Sequence, residues 1–355
     1  MFLQALHTVV PKPVYTQSEC WEIISRSPVR DRLRDRSLHL LQKVLLGNNG
    51  IRQRHFAVED IDGVFGFTPD RLHEEFALHG PALAHRALEG ALAKTGWAGR
   101  QLDALLICTC TGYLCPGLSS YVSEKAGLPA NAFLQDLVGL GCGAAIPSLR
   151  AADALIARHP EARVAVIAVE ICSAAFYLDD DPGVLISACL FGDGAAATLW
   201  SGRPPPEAST PWRAHSFATR HDPQHRETLR FEQKDGYLRN KLHRSVPEVA
   251  GKAVGTLFRE SQLPADSTVI LPHPGGRDVL ESLRENLPGS PSLTPAREVL
   301  ADHGNMSSPS VLFTLERFLE TASPASNDLW LTSFGAGFAA HSLTLSPSFS
   351  RAEGR

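Results

Sequence analysis

The sequence predicts an α/β fold built from two similar halves within one chain. Apolar segments of strand length alternate with segments of helical spacing, the alternation is repeated later in the chain, and a proline-rich stretch lies between the two parts. A chain of 355 residues also corresponds to roughly two domains. We place the two halves at residues 1–205 and 206–355.

The first half contains two helical and three strand-like segments. Leu83, Leu88 and Leu92 recur at helical spacing in one of them, after a proline at its start. The segment 163–170 is a short, mostly apolar run that is typical of a central parallel strand. The predictions are a helix over 81–94, a buried strand over 102–109, a helix over 141–158 that contains Pro147, a central strand over 163–170, and a turn followed by a strand over 189–200.

The second half repeats this order of elements. It follows the segment 201–225, which contains four prolines between 204 and 211 and is the best candidate for the boundary between the halves. The predictions are helices over 247–260, 278–285 and 308–320, and strands over 267–271, 328–332 and 339–345, the last two around a glycine-rich turn.

Composition and charge exclude several classes of protein. Lys and Arg number 34 and Asp and Glu number 38, so the net charge of −4 is too small to attract nucleic acid or an anionic membrane. No apolar run approaches the roughly 18 residues that cross a bilayer. Residues 1–17 lack a basic start, so we expect no signal peptide and a cytoplasmic protein.

The cysteines support a reducing environment. Their number, seven, is odd, and most lie in apolar segments, which is not the pattern of a secreted disulfide scaffold. Cys108, Cys110 and Cys115 lack the paired spacing of a zinc site, so we expect no metal. Six of the seven are expected to be buried small side chains, and Cys142 is the exception.

Cys142 lies in Gly-Leu-Gly-Cys-Gly-Ala-Ala at residues 139–145, where an apolar segment ends and a helix is predicted. Glycine permits tight turns and the close approach of a ligand to the backbone. A thiol at a helix N-terminus faces the positive end of the helix dipole, which favours the thiolate. The segment therefore predicts either a nucleophile or a small residue packed under a glycine turn.

Two further motifs contain candidate polar groups. His273 lies in Leu-Pro-His-Pro-Gly-Gly at residues 271–276, where the prolines restrict the backbone. This histidine either points into a site or is satisfied by the backbone of a turn. Asn305 lies in His-Gly-Asn-Met-Ser-Ser at residues 303–308, just before a predicted helix. It is either a site residue or part of a helix cap that also involves Ser307 or Ser308.

Taken together, the three motifs resemble the active-site signatures of the type III polyketide synthases, the chalcone synthase family of the thiolase superfamily. The segments 191–197 (Phe-Gly-Asp-Gly-Ala-Ala-Ala), 110–112 (Cys-Thr-Gly) and 235–239 (Asp-Gly-Tyr-Leu-Arg) resemble the same family, and the likeness extends from near residue 5 to near residue 345. It implies a five-layered αβαβα thiolase-like fold, a homodimer, and malonyl-CoA and acyl thioesters as substrates, with no cofactor.

The resemblance also implies roles for the three residues. Cys142 would accept the acyl starter as a thioester, because a thiolate both attacks and leaves readily. His273 and Asn305 would decarboxylate the malonyl thioester, since their N–H groups can be aimed at the oxygen on which negative charge builds up. A protonated histidine would also lower the pKa of the cysteine. The implied reaction is a decarboxylative Claisen condensation by an acyltransferase, followed by closure of a resorcinol or pyrone ring.

Several positions near this trio carry over from the family. Phe191 corresponds to the gatekeeper phenylalanine between the substrate tunnel and the cavity, whereas no phenylalanine stands at the second gatekeeper position, near 242–245. Cys110 replaces the threonine of plant members, as in bacterial naphthalene-forming members, and with Glu170 and Ser307 it matches a network that can direct aldol cyclisation. Because a thiol is a weak donor, we expect this network to be weakened or replaced. Cys115 matches a position that reaches into the partner subunit's cavity.

Other matches concern the substrates. Cys172, Ala175 and Gly236 match cavity-wall positions, and their small size predicts a fatty acyl starter, as in bacterial alkylresorcinol and alkylpyrone synthases, with ordinary packing as the alternative. Residues Arg52, Arg54 and Arg277 lie in the regions where plant members bind coenzyme A phosphates but do not align cleanly with them, and solvated surface charge is the favoured explanation of each one singly. An acyl carrier protein can replace coenzyme A as the starter donor.

Three alternative functions can be compared with this interpretation. A papain-like peptidase also uses Cys, His and Asn in this order, but its cysteine lies in a C-G-S-C-W-like setting that is absent here. A ketosynthase that condenses once and releases a β-ketoacyl product stays possible because the aldol network is altered. The third alternative, a non-catalytic thiolase-fold partner subunit, is disfavoured by the intact trio.

Overall fold

The computed structural model describes residues 1–206, 211–321 and 327–348. Its strands are β1 (Phe2–Val9), β2 (Val14–Thr16), β3 (Gln53–His55), β4 (Ala104–Cys108), β5 (Phe133–Leu137), β6 (Val164–Glu170), β7 (Gly194–Ser201), β8 (Trp212–His221), β9 (Leu229–Lys234), β10 (Tyr237–Leu242), β11 (Thr268–Pro272), β12 (Asp328–Gly335) and β13 (Ala339–Pro347).

The α-helices of the described residues are α1 (Gln17–Arg26), α2 (Asp35–Leu45), α3 (Pro69–Thr95), α4 (Leu118–Ala126), α5 (Ala145–Arg158), α6 (Pro182–Leu190), α7 (Val246–Ser261), α8 (Arg277–Asn286), α9 (Thr294–His303) and α10 (Ser310–Thr321). Short 3₁₀ turns cover Pro28–Arg32, Val64–Gly66, Gly99–Gln101, Gly141–Gly143, Cys172–Ala175, Pro223–Thr228 and Ala265–Ser267.

The strand pairings show two similar halves. In the first half β1 is antiparallel to β7, β7 is antiparallel to β6, and β6, β4 and β5 run parallel. In the second half β8 is antiparallel to β13, β13 is antiparallel to β12, and β12 and β11 run parallel. The two sets are joined where Phe2 of β1 pairs with Arg213 of β8. The sequence-based prediction of a duplicated α/β fold is confirmed.

Helices and sheets alternate in five layers. Helices α5 and α10 lie between the two sets of strands, because α5 contacts β4 and β6 on one side and β8, β12 and β13 on the other, while α10 contacts β1 and β7 as well as β11 and β12. On the outer faces, α3 packs on β1, β6 and β7, and α7 packs on β8, β12 and β13. This is the αβαβα arrangement that the family resemblance implies.

Buried apolar side chains hold these layers together. The central cluster joins Leu149 of α5 and Leu312 of α10 to Val166 of β6 and Leu331 of β12. Burial of such side chains stabilises a fold by about 1.5–3 kcal/mol each. The central layer is therefore anchored to both halves at once, which fixes the ends of their strands relative to each other.

Most predicted elements are confirmed, with changes at their ends. The helix predicted over 81–94 begins at Pro69, because Leu72 and Phe76 extend its buried face and Thr68 caps it by accepting from the N–H of Arg71. Pro147 lies in the first turn of α5, where its missing N–H leaves no intrahelical bond unmade. The strand predicted at 163–170 is buried throughout, and is parallel to β4 but antiparallel to β7.

Two predictions about connections need correction. Cys189, assigned to a turn, lies within α6. The segment 201–225, expected to connect the halves, contains β8 and so belongs in part to the sheet, while residues 207–210 lie outside the described residues. The domain boundary after residue 205 stays a prediction. Among the described residues, no helix combines the length and apolar character needed to span a membrane.

The hairpin of β9 and β10 explains one glycine. Tyr237 pairs with Lys234, so Asp235 and Gly236 form a two-residue turn, and their φ angles are +52° and +80°. Positive φ at both positions is the requirement of a type I′ turn, for which Asp-Gly is a preferred sequence. A Cβ at position 236 would also approach the ring of Pro69 to 2.9 Å. Turn geometry therefore accounts for this glycine.

Candidate active site

Cys142 lies in the 3₁₀ turn Gly141–Gly143, between the end of β5 and the start of α5. Gly141 has φ +58°, a conformation that glycine adopts without strain. The backbone of the turn touches β12, since a Cβ on Gly335 would overlap the carbonyl oxygen of Leu140 and the amide nitrogen of Gly143. The hydroxyl of Ser333 donates to the carbonyl of Gly143 at 3.1 Å. The second half of the chain thus holds the turn in place.

The thiol of Cys142 is buried and is 8% exposed as a residue. It packs with Cys172 and Phe191, and the hydroxyl of Ser307 donates to its Sγ at 3.3 Å. Burial raises the pKa of Cys142 to about 12, partly opposed by the hydrogen bond from Ser307. The expected thiolate is therefore not the resting form at neutral pH, because desolvation outweighs the effect expected from the helix N-terminus.

His273 follows β11 directly, and its N–H donates to the carbonyl of Thr332 at 2.8 Å. Its ring packs edge-on against Phe334 with 5.4 Å between centroids. Both ring nitrogens are buried, and neither has a hydrogen-bond partner among the described residues. Burial lowers the pKa of His273 to about 3. The neutral ring therefore does not provide the protonated partner expected for Cys142, but both nitrogens are free to meet a substrate.

Asn305 connects the other two motifs. Its Nδ2 donates to the carbonyl of Gly275 at 3.1 Å, and the N–H of Gly275 donates to the carbonyl of His273 at 3.0 Å. Its Oδ1 accepts from the N–H of Ser307 at 2.8 Å. The side chain therefore belongs to the site and is not a helix cap, and Ser307 links it directly to Cys142.

The structure brings the three predicted residues together. Ser307 contacts Cys142 and Asn305, and Asn305 contacts the loop that carries His273. Ser307 has φ +60°, an unusual conformation for a residue with a side chain, and such strain clusters at functional sites. The thiol of Cys142 comes from the first half, and the imidazole of His273 and the amide of Asn305 come from the second half. Ser307 and the loop of Gly275 connect the three motifs.

Glu170 is bound differently from the expected network. Its Oε2 accepts from the hydroxyl of Thr111 at 2.9 Å and from the N–H of Cys110 at 2.9 Å, and its Oε1 accepts from Ser308 at 2.6 Å. Ser307 instead contacts the Sγ of Cys110 at 3.2 Å. Cys110 therefore lies between Glu170 and Ser307, while the hydroxyl of Thr111 also donates to the carboxylate; that the network is weakened or replaced stays a prediction.

A cavity lined by Ser307 lies beside this trio and reaches β10, although Cys142, His273 and Asn305 are not themselves among its lining residues. The space open to water-sized molecules is about 30 Å³, which is room for about two waters. Its lining includes four predicted residues, Cys172, Ala175, Phe191 and Ser307, and several that sequence reasoning did not assign to the site, namely Thr111, Phe176, Tyr177, Val184, Ser187, Ala188, Phe231, Leu238, Arg239 and Asn240. Thr111, Leu238 and Arg239 lay in segments already noted for their resemblance.

One wall prediction is corrected, and one aromatic residue is added to the wall. Gly236 is in the hairpin turn and is absent from the lining, so it does not shape the described cavity. Phe231 of β9 supplies a second aromatic ring beside the cavity, although no phenylalanine occurs at the expected gatekeeper position near 242–245. Cys115 is exposed and Cys110 is partly exposed, so the expectation of a buried small side chain is wrong for these two cysteines. A place for Cys115 in a partner's cavity stays a prediction.

The predicted coenzyme A residues separate into two groups. Arg54 is 1% exposed, and its guanidinium donates to Gln17 and to the carbonyls of Ala188 and Phe191. A buried, fully engaged guanidinium cannot reach a phosphate in solvent, so this prediction is wrong. Arg52 and Arg277 are exposed, and they pair with Asp302 and Asp278. Among the described residues, no group of three His, Cys, Asp or Glu side chains is arranged to hold a metal ion.

Comparison with known proteins identifies the family. The family model described as FAE1/type III polyketide synthase-like protein matches residues 12–267, and the model of the C-terminal domain of chalcone and stilbene synthases matches residues 223–345. This chain belongs to the type III polyketide synthase family. Membership makes it an acyltransferase that works by decarboxylative condensation, and the thiolase-like fold is confirmed.

Individual relatives agree with this family. The chain is 29% identical to a 1,3,6,8-tetrahydroxynaphthalene synthase of Streptomyces peucetius subsp. caesius, over 96% of this chain and 92% of the relative. It is 31% identical to a 3,5-dihydroxyphenylacetyl-CoA synthase of Amycolatopsis balhimycina, over 70% of this chain and 68% of the relative. The crystal structure of PKS-I from the brown alga Ectocarpus siliculosus superposes with a TM-score of 0.89 at 22% identity, covering 98% of both chains.

The raised pKa of Cys142 predicts its reactivity in this type III polyketide synthase. We expect the rate of alkylation by iodoacetamide to rise about tenfold per pH unit between about pH 7 and pH 10, because only the thiolate reacts and the pKa lies near about 12. Ser307→Ala should be slower at each pH, since it removes a hydrogen bond that lowers the pKa. Peptide mapping by mass spectrometry follows the Cys142 peptide, which Cys142→Ser identifies. A rate that levels off below pH 8 would contradict the prediction.

Proposed function

We propose that this chain loads an acyl starter onto Cys142 and extends it with two-carbon units from malonyl-CoA. The observation that supports this most strongly is the hydrogen-bonded connection between a buried thiol, a carboxamide and the loop of an imidazole with two free nitrogens, beside a cavity that Ser307 lines. No proton-transfer group other than His273 is needed for the loading step. The neutral ring accepts the proton of Cys142 as the sulfur attacks the starter thioester, and the coenzyme A thiolate leaves.

Extension uses the same groups as hydrogen-bond donors. Loss of carbon dioxide from the malonyl thioester leaves an enolate whose negative charge lies on the thioester oxygen. An N–H of His273 and the second N–H of Asn305 stabilise this oxygen, because they are already oriented in a buried site. The enolate carbon then attacks the Cys142 thioester, a carbon–carbon bond forms, and the sulfur of Cys142 leaves and regains a proton. The lengthened chain stays on coenzyme A and can be reloaded.

The starter and the product follow from the cavity and from the relatives. Ala175, Val184, Ala188 and Leu238 give the cavity apolar walls, which supports the fatty acyl starter expected from the sequence, and the cavity, with room for about two waters, has to widen to hold such a chain. Coenzyme A is the donor we favour, with the exposed Arg52 and Arg277 as candidates for phosphate contacts, and an acyl carrier protein is the alternative donor. The relatives are named for hydroxylated aromatic products, which supports ring closure to a resorcinol or a pyrone in this chain.

A second candidate is a single condensation that releases an uncyclised β-ketoacyl product. It is favoured by Glu170, whose carboxylate accepts from Thr111, Ser308 and the N–H of Cys110 and, among the described residues, has no direct bond to Ser307. The two candidates share every step up to the first condensation. They differ in the number of two-carbon units in the product, which its mass reports directly.

The starter preference is tested with a panel of acyl-CoA thioesters and radiolabelled malonyl-CoA. We expect acyl chains of about eight carbons or more to be extended faster than acetyl or aryl starters, because the cavity walls are largely apolar. Mass spectrometry of the products counts the added units and distinguishes a ring from an open chain. Faster extension of acetyl or aryl starters would reject a fatty acyl starter, and a single added unit would favour the second candidate.

The roles of Cys142 and Asn305 are separable by mutation. Asn305→Asp keeps the oxygen that accepts from Ser307 but removes the NH₂ donor, so we expect malonyl-CoA decarboxylation to fall about 100- to 1000-fold. Cys142→Ala should abolish acylation, seen by intact mass, and affect decarboxylation much less. Wild-type decarboxylation by Asn305→Asp would show that the donor role is wrong. A wild-type protein that neither acquires an acyl group nor decarboxylates malonyl-CoA would instead support a non-catalytic subunit.

We also propose a homodimer that covers the free edge of β5. In the described part of the chain β5 ends the sheet order, and an exposed edge strand is a ready site for pairing with another chain. Exposed apolar side chains surround it, namely Tyr113, Tyr121, Phe133, Leu134 and Val138. A second copy meets this surface with the same surface, as in an isologous dimer. Cys115, in the neighbouring loop, is then close to the partner.

The dimer is tested with Phe133→Glu, which places a charge on this edge. Phe133 is 48% exposed, so the change leaves the monomer core intact but introduces a buried, unpaired carboxylate into the interface. We expect light scattering after size-exclusion chromatography to show a dimer for the wild type and a monomer for the variant. Leu46→Glu, at a residue 51% exposed at the end of α2, is the matched control and should stay dimeric. A monomeric wild type would rule the interface out.

A further inference from the structure

The hairpin of β9 and β10 forms one wall of the cavity and is a two-stranded sheet of its own. Its lining residues Phe231, Leu238 and Asn240 share one face, because Phe231 is paired with Asn240 and side chains two residues apart on a strand point to the same side. Val184 and Ala188 of α6 also line the cavity. The cavity therefore lies between the hairpin and the rest of the protein.

Few hydrogen bonds attach this hairpin to the rest of the protein. Among the described residues, no backbone hydrogen bond joins Leu229–Leu242 to a segment outside the hairpin and its flanking residues. Three side-chain hydrogen bonds of the described structure do so, and they run from Tyr237 to the carbonyl of Phe67, from Arg239 to Asp179 and from Lys241 to Asp181. The hairpin can therefore move outwards without breaking any strand pairing of the large sheet.

Two of these bonds are ion pairs between β10 and the loop before α6, residues 176–181. Arg239 pairs with Asp179, Lys241 pairs with Asp181 at 2.8 Å, and Glu232 of β9 contacts both cations. The carboxylate of Asp181 also caps the first turn of α6, so it is fixed to the body of the protein. We call the pairs Arg239–Asp179 and Lys241–Asp181 the clasp. The clasp opposes movement of the hairpin away from α6.

A long acyl chain requires such a movement. The thiol of Cys142 packs against Cys172 and Phe191, which line the cavity, so an acyl group on its sulfur reaches the cavity there. The space of about 30 Å³ is far less than a fatty acyl chain occupies. The wall on α6 belongs to a closely packed core, which yields little. The hairpin is therefore the wall whose displacement widens the cavity, and a longer chain needs a larger displacement.

We propose that the clasp sets the upper length of the acyl starter that the cavity accepts. This inference rests on the proposed function and adds Lys241 and Asp181 as positioning residues, which act through the hairpin. A short starter leaves both ion pairs in place, whereas a long one moves the hairpin and separates the charges. The Lys241–Asp181 pair is the more accessible part of the clasp, since both side chains are 29% exposed and Arg239 is only 8% exposed.

Lys241→Gln tests the proposal, because it removes one ion pair of the clasp and no residue of the cavity lining. We measure kcat/KM for the extension of hexanoyl-CoA and of dodecanoyl-CoA by malonyl-CoA. The variant should raise the ratio of the dodecanoyl value to the hexanoyl value about two- to fivefold, which is the effect that a partly exposed ion pair supports. Asp181 is less suitable for mutation, since its loss would also remove the cap of α6.

Arg230→Gln is the matched control, because it also removes a cation from the hairpin. The ion-pair partners of Arg230 in the described structure are Glu227 and Glu232, and neither lies in the loop before α6. This variant should keep the wild-type ratio, as should Lys241→Arg, which retains the charge. Circular dichroism and thermal unfolding establish that all three variants are folded.

Ionic strength provides a readout that a merely structural role of Lys241 would not change. Raising the salt concentration from about 0.1 M to about 1 M shortens the Debye length from about 10 Å to about 3 Å. The dodecanoyl-to-hexanoyl ratio should rise with salt in the wild type and rise less in Lys241→Gln. The response of coenzyme A to salt cancels in the ratio, and the general effect of salt on apolar binding is the same in both proteins.

The outcomes separate failure of this inference from failure of the proposed function. If the wild type acquires an acyl group on Cys142 and extends it, but a folded Lys241→Gln keeps the wild-type ratio or Arg230→Gln shifts it equally, only the role of the clasp is wrong. The same holds if no variant extends dodecanoyl-CoA. If intact mass shows no acyl group on Cys142 with any thioester and no product forms, the proposed function is rejected and this inference with it.

Discussion

The site depends on one close approach of backbone between the two halves of the chain. The turn Gly141–Gly143 lies against Gly335 of β12 so tightly that a side chain at 335 would overlap its backbone atoms. The central helices α5 and α10 bring this about, because each packs on strands of both halves. With the turn in this position, the hydroxyl of Ser307 donates to the Sγ of Cys142 and its N–H donates to the Oδ1 of Asn305. The Nδ2 of Asn305 in turn donates to the loop that carries His273. Movement between the two halves would therefore separate the nucleophile from its partners.

Burial governs the chemistry of these groups. Removing the thiol and the imidazole from water raises the pKa of Cys142 to about 12 and lowers that of His273 to about 3, so both are neutral at rest. A neutral imidazole retains one acceptor and one N–H, which is the combination needed to receive a proton from sulfur and to donate to an enolate oxygen. In this arrangement charge appears only when a thioester arrives, and the site is already oriented to stabilise it.

The cavity has largely apolar walls with a few buried polar side chains among them. Side chains such as Val184 and Leu238 offer contact to hydrocarbon, whereas Arg239 and Asn240 keep unpaired atoms in a buried position. Arg239 is in turn held by three carboxylates, so its position depends on charge and not on packing alone.

The sequence alone determined the fold class, and it predicted the three candidate residues that the structure connects. Periodicity predicts local elements, and Cys142, His273 and Asn305 each stand in a short motif whose neighbours constrain the backbone. The properties that the sequence could not determine are those that depend on solvent exclusion and on contacts between distant segments. Arg54 is of a residue type that binds phosphate, but it is buried and donates to backbone carbonyls. Gly236 lies in a hairpin turn and not in the cavity wall. Burial likewise raises the pKa of Cys142, whereas its place at a helix N-terminus predicted a lowered pKa. Tertiary structure decided these points because desolvation and side-chain pairing depend on which segments meet, and neither is encoded by spacing along the chain.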